Sequence, residues 1–380
     1  MQKSLLILTS ITLVLILIVP NWVGTIHAST NAADSGPQIV VVSDSPAVRY
    51  SKHGTDYLIS TLGLLATIQD GQPIRFISSD TPSEILGPFS TSHSKFDDVQ
   101  KNIQASITSP DGIEPHGLYI ALSEAYSILR RDNASIGSTV YLVSGTSKGN
   151  VFDRNLERLM PLANRFGQNG WSINSLVLPG SREATTALLE DLAFKTGGET
   201  FDLSVSTGFR RLADEILEKS STDVLSEISS QKINNRDRMT SIVTVPPGTN
   251  ETNLIFIKEH SSGTLRLRAP SGHETSDDDS TVVETPYVVI WEIPNPVPGD
   301  WRIDGHGVNG LVSVWEYSSN KLNIELLDSG PTILGQSDSL TAYVTEGGSI
   351  SILDGVILMV DVTTPEGTVI SQELKDDGLS

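Results

Sequence analysis

Residues 38–43 (QIVVVS) form an unbroken, β-branched apolar run that stops at a carboxylate, Asp44. A strand of that composition is buried on both faces, and such strands belong to parallel sheets covered by helices. Residues 139–144 (TVYLVS) repeat the pattern, and 73–78 (PIRFIS) and 171–178 (WSINSLVL) extend it. Between these runs the apolar positions fall at helical spacing: Leu58, Leu62 and Leu65, then Leu118, Leu122 and Leu129, then Leu159, Leu162 and Phe166, then Leu188, Leu189 and Leu192. Strands alternating with helices imply right-handed crossovers. Residues 38–205 are therefore expected to form a doubly wound, mainly parallel, Rossmann-like α/β domain. The ligand crevice of an open α/β sheet lies beyond the carboxyl ends of its strands, which puts Asp44 at its mouth.

Past residue 205 the period changes. Residues 206–237 read as a helical connector, with Phe209, Leu212, Ile216 and Leu217 on one stripe, followed by Val224, Leu225 and Ile228. From 238 to 328 short runs of strand type, among them 239–245, 254–258, 264–268, 288–293, 301–304, 310–317 and 321–327, are parted by Pro-Gly, Ser-Gly and Gly-Asp turns. That pattern predicts an antiparallel β-sandwich. Residues 330–380 read as a partial, truncated immunoglobulin-like β domain, because its few strands leave an open edge and an incomplete core.

Composition narrows the function classes. The 380 residues hold 26 Lys and Arg against 46 Asp and Glu, a formal charge of -20, with no cysteine. So acidic a chain is a poor match for nucleic acid or for an anionic lipid surface. The missing cysteines exclude disulfides, thiolate zinc sites, iron–sulfur clusters and a cysteine nucleophile. Lys3, the apolar stretch 5–19 and Ile26-His27-Ala28 read as a signal peptide over 1–28, followed by a flexible leader over 29–37. The expected location is outside the cytoplasm: periplasmic, at the cell surface or secreted. Membrane attachment is expected only through an uncleaved signal or a missing C-terminal anchor.

Catalytic motifs are not legible. The sequence has no His-Glu-x-x-His, no Gly-x-Ser-x-Gly elbow and no phosphate loop in the Gly-x-x-x-x-Gly-Lys order. Asp277-Asp278-Asp279 lacks the spaced carbonyls and distal Glu of a calcium loop and reads as a solvated turn.

Several motifs carry a resemblance. The strand and Asp turn at 38–48, the helix start at 112–118 (GIEPHGL), the strand and turn at 139–147 (TVYLVSGTS) and above all 189–203 (LEDLAFKTGGETFDL) resemble a von Willebrand factor type A (VWA) domain, over about 38–203. The resemblance implies a crevice that holds a magnesium-type adhesion site, made from an Asp-x-Ser-x-Ser turn, a Thr at a later helix start and an Asp after a middle strand. Asp44 matches the first ligand. Pro46 and Val48 stand where the serines belong, no Thr lies near Gly112 and Ile113, and Ser144-Gly145 replaces the second Asp. A register shifted by one, through Ser43 and Ser45, recovers a single serine and loses the Asp.

Two readings of Asp44 stay open: a helix or turn cap retained from the fold, or part of a metal-free protein contact lined by Asp44, Ser45, Arg49, Ser144 and Thr146. In the second, Arg49 is a fixed cation beside the old metal position. Asp44 is a metal ligand only if a residual site exists, and magnesium or calcium is then the ion implied. Residues 269–272 (APSG) and 298–301 (PGDW) resemble the β domain of calcium-activated chloride channel regulators and their bacterial relatives, whose protease region has no counterpart here.

The expected function is an exported, non-catalytic protein-interaction or adhesion-type protein with a degenerate metal-ion-dependent adhesion site. Its expected partner is an extracellular or envelope protein, with no nucleic acid and no small-molecule cofactor. The alternatives are a functional divalent-metal-dependent adhesin and a structural cell-surface module.

Overall fold

The computed structural model describes residues 36–68, 73–89, 96–108, 117–145, 156–220, 224–234, 238–246, 249–275 and 280–319, and five strands beyond residue 320. The expected signal at 1–28, the leader up to residue 35, the helix start at 112–116, Thr146 and the Asp277–Asp279 turn lie outside the described residues. The chain divides into two compact units, one spanning 32–320 and one containing 321–380.

Within the first unit, β1 (Ile39–Ser43), β2 (Ile74–Ser78), β3 (Leu86–Phe89), β4 (Thr139–Ser144), β5 (Ser172–Val177) and β6 (Thr200–Asp202) form one sheet in the order β3-β2-β1-β4-β5-β6. Only β3 runs antiparallel. The helices are α1 (Ser45–Tyr50), α2 (Gly54–Ile68), α3 (Phe96–Thr108), α4 (Gly117–Arg131), α5 (Leu156–Gln168), α6 (Glu183–Thr196) and α7 (Gly208–Ser220). Strand β1 is central. Ile39 and Val41 enter a core shared with α2, α3 and α7, while Val40 and Val42 enter one shared with α4, α5 and α6. The unbroken apolar run follows from burial on both sides. The chain leaves β1 toward β2 on one flank and returns to β4 on the other, so the β1/β4 junction is the topological switch point.

Two glycines close α6 by different means. Gly197 takes φ 72° as the left-handed C-cap. Gly198 passes so close to β5 that an added Cβ would lie 2.2 Å from the Ile173 carbonyl oxygen. Thr196 Oγ1 accepts the Ile173 N–H at 2.9 Å, and Asn174 Oδ1 accepts the Glu199 N–H at 2.9 Å, fixing the return into β6.

The rest of this unit is antiparallel. Its strands are β7 (Val224–Ile233), β8 (Met239–Val245), β9 (Glu251–Lys258), β10 (Thr264–Arg268), β11 (Thr281–Glu284), β12 (Val288–Pro294), β13 (Gly299–His306) and β14 (Gly310–Ser319). They form a five-stranded sheet, β11-β12-β9-β14-β7, and a three-stranded sheet, β10-β13-β8. Strand β8 alternates buried and exposed residues, as a sheet with one wet face requires. Thr252 to Lys258 in β9 and Val288 to Trp291 in β12 are buried without a break. Leu254, Phe256, Val289 and Trp291 face the three-stranded sheet, and Ile255, Ile257, Val288 and Ile290 pack with α2 and α7. The five-stranded sheet is thus an inner layer, covered by a sheet on one side and by helices of the α/β domain on the other.

Two expectations are corrected here. Among the described residues, the connector over 206–237 is helical only in α7, whose Phe209, Leu212, Ile216 and Leu217 are core residues. Residues 224–233 are strand, because β14 offers an open edge that pairs from Gly310↔Ile233 to Ser318↔Val224. Cross-strand pairing overrides a local pattern equally compatible with helix. The sandwich boundary at 328 also moves. Strand β15 (Leu322–Leu327) pairs antiparallel with β16 (Thr341–Glu346) and so belongs with the C-terminal unit. Strand β16 also pairs with β17 (Ser349–Ile350), and β18 (Leu358–Thr363) pairs with β19 (Val369–Leu374).

Candidate binding crevice

Asp44 leaves β1 with its N–H donated to Val143 O at 2.9 Å, and its own carbonyl accepts the Val48 N–H at 2.9 Å to start α1. It therefore occupies the N-cap position. Its carboxylate, however, makes no full cap hydrogen bond and instead accepts from Ser144 Oγ at 2.8 Å, across the switch point. Asp44 is 6% exposed. Burial pushes its pKa from 3.8 up to about 6, against the opposing pull of the Ser144 hydroxyl and a weak contact from the Ala47 N–H, and the charge of Asp80 adds to the rise. The backbone of Asp44 thus starts α1, as a cap residue does, while its side chain is engaged in a buried hydrogen bond between β1 and β4.

Ser45 does not line the crevice. It is fully buried, with its hydroxyl 2.7 Å from Ser78 Oγ and 3.4 Å from Ser43 Oγ, and its N–H donates to Ser79 Oγ at 2.9 Å. These contacts tie α1 to the end of β2. Arg49 does not stand in for a cation beside Asp44 either. Its Nε donates to Ile107 O at 2.8 Å, and its guanidinium pairs with Asp80. The structure thus brings Asp44 and Ser144 together beneath the crevice, Ser144 being as fully buried as Ser45, and sets Arg49 with Asp80.

Asp80 is the residue that the sequence reading missed. Ser79 separates it from the end of β2, whereas Asp44 directly follows β1, but both are carboxylates in the turn that ends a buried parallel strand. An acidic residue in the turn after a buried strand was the available signal.

The donor set bears on the dication that the family resemblance implies. Val48 is 1% exposed and packs in the core on the α2 side of the sheet, so the second serine position is filled by hydrocarbon. Asp80 is already paired. Among the described residues, no three His, Cys, Asp or Glu side chains are grouped as metal ligands. Magnesium demands near-octahedral oxygens at about 2.0–2.1 Å and gives up water reluctantly. One buried carboxylate and one serine hydroxyl do not fit that demand. Gly145 carries the chain past the turn after β5 so closely that an added Cβ would lie 2.7 Å from Ser181 Oγ.

No family model matches the chain, and no curated protein sequence does. Among solved structures it is similar to the TFIIH p34 N-terminal domain, with TM-score 0.34 and 15% identity over 48% of this chain and 96% of that one. Proximal thread matrix protein 1 from the mussel byssus gives TM-score 0.32 and 16% identity, covering 49% of this chain and 47% of the other. The pilus adhesin SpaC from Lactobacillus rhamnosus GG gives 0.35 and 7%, covering 91% and 53%. The chain spans about half the length of these last two. The α/β assignment rests on the sheet order of the chain itself.

Proposed function

We propose that this protein is an exported, non-catalytic interaction protein, in which a VWA-like domain offers its β1/β4 crevice to an extracellular or envelope protein without a bridging dication. The Asp44–Ser144 hydrogen bond carries this reading. Where the family pattern places two carboxylates around a metal, here one carboxylate is held by a serine. A partner's acidic side chain, the usual last ligand of such an ion, would meet only the buried Asp44.

The same pair also speaks against hydrolysis. A serine beside a carboxylate with a pKa near 6 has the makings of a nucleophile and base. Yet Ser144 has no exposed surface and so cannot reach a substrate.

Calorimetric titration of the full chain with MgCl2, MnCl2 and CaCl2 tests the reading. No saturable heat and no thermal shift are expected, and adhesion to immobilised envelope or matrix proteins should persist in EDTA. Saturable binding that Asp44→Ala abolishes favours the metal-dependent adhesin instead.

A further inference from the structure

Strands β8, β10 and β13 turn Met239, Val243, Leu267, Trp301 and Ile303 into the core and their alternate residues to solvent. On the wet face the register sets Arg266, Asp304 and Thr240 in one row, and Arg268, Arg302 and Ile242 in the next. Two arginines directly opposite each other repel. Asp304 offsets that repulsion by accepting from Arg302 Nε at 2.7 Å and from Arg268 Nε at 3.0 Å, with Thr240 Oγ1 donating to it at 3.1 Å. Slight burial pushes the Asp304 pKa up, but these hydrogen bonds outweigh it and hold the carboxyl below its ordinary value.

Both guanidinium groups are held to Asp304 through Nε, which leaves the Nη groups of Arg302 open and those of Arg268 only loosely engaged. Among the described residues, Arg302 Nη makes no hydrogen bond, and the Nη contacts of Arg268 are long, 3.4 Å to Gly272 O and 4.0 Å to Glu274. The depression over this face has a volume of about 810 Å³. Its walls carry four arginines, Arg238, Arg266, Arg268 and Arg302, against two carboxylates, Asp300 and Asp304. Glu274, at the rim, accepts from Arg266 Nη1 at 3.3 Å and takes up part of that excess. The balance of the four arginines over Asp300, Asp304 and Glu274 is still positive, against -20 for the chain as a whole.

We propose that this arginine-walled depression binds an acidic polysaccharide through its carboxylate or sulfate groups. Planar guanidinium forks match such groups with two parallel hydrogen bonds. Thr240 and Thr264, which also line the depression, supply hydroxyls for sugar oxygens. No Phe, Tyr or Trp lines it, and His306 is its single aromatic ring, so it lacks the run of stacking platforms that a nucleic acid strand requires and the large aromatic anchor that a peptide hot spot favours. Its volume lies within the usual range for small-ligand sites, about 300–1,000 Å³, and suits a few sugar units. Asp304 is a positioning residue that holds two like charges at one face. The site is independent of the crevice.

The test uses the full chain at low salt, titrated calorimetrically with oligogalacturonate, dextran sulfate, neutral dextran and polyglutamate. Binding of oligogalacturonate, dextran sulfate or both, weakening with salt, is expected, and neutral dextran should give no heat. The two charged polymers separate carboxylate from sulfate as the group recognised. Arg302→Ala and Arg268→Lys should each weaken binding about tenfold or more, a tenfold loss being about 1.4 kcal/mol. Lys195→Ala, the same charge change on α6, should leave it unaltered. Asp304→Asn should also weaken binding although it removes a negative charge, because the arginines lose their common anchor.

Circular dichroism checks that each variant folds. No binding of either charged polymer, equal losses from Lys195→Ala and Arg302→Ala, or tighter binding by Asp304→Asn overturns the proposal. Polyglutamate binding as strongly as the glycans overturns the assignment of ligand class in favour of an acidic peptide.

Discussion

Asp44 and Ser144 decide how the crevice behaves, and the pH dependence of stability reports on them. With a folded pKa of about 6 against 3.8, Asp44 is protonated in both states at low pH and costs nothing there. As pH rises from about 4 to 6 the unfolded chain ionises first, so stability falls; above the folded pKa the cost is constant at about 3 kcal/mol. Asp44→Asn should therefore stabilise the protein by about 2–3 kcal/mol at pH 8 in urea unfolding, and the gap should close near pH 4. A parent protein that outlasts the variant at pH 8 would mean that the carboxylate has a charged partner. At this scale the sequence placed Asp44 and Ser144 at the ends of buried apolar runs, and the structure has them side by side there. The sequence misassigned Ser45 and Arg49, because a side chain next in sequence to a site can point to β2 or to α3, and residue type does not say which.

Among the elements, the turn from α6 to β6 shows two reasons for glycine side by side. Gly197→Ala should cost about 1–2 kcal/mol, the penalty of a left-handed backbone with a Cβ. Gly198→Ala forces a methyl to within 2.2 Å of a backbone carbonyl in β5, where neither side can yield cheaply. Its cost should exceed that of the first variant and reach about 3 kcal/mol, the upper end of overpacking penalties. Urea midpoints of the two variants give the order, and a reversed order would contradict the contact. Strand β7 shows the opposite situation. Its residues are compatible with helix, and the vacant edge of β14, contributed from about 80 residues later, makes it strand.

Across the whole 32–320 unit, the inner sheet joins the two halves. Tyr287 stacks on Tyr57 of α2 with ring centroids 4.5 Å apart, lies 5.4 Å from Phe209 of α7, and donates its N–H to Ser60 Oγ at 3.1 Å. With Ile255, Ile257, Val288 and Ile290 in the same core, the α/β domain and the sandwich should melt in one calorimetric transition. Tyr287→Ala should cost about 3–5 kcal/mol, as for other buried aromatics, and split that transition into two. Two transitions already present in the parent would show that the shared core does not couple the halves.

Periodicity and strand-ending polar residues are local properties, so the linear sequence carries the alternation of strand and helix, the two-faced burial of β1, the change to antiparallel strands in the second half of the chain and the place of Asp44 at the carboxyl end of β1. Only the tertiary structure decided that β7 is strand, that β9 and β12 lie inside a stack rather than on a free sandwich, that Ser144 caps Asp44 and that four arginines meet on one face. Each of those depends on which segment comes to lie beside which, and a linear pattern carries the chemistry of a surface but not the identity of what covers it.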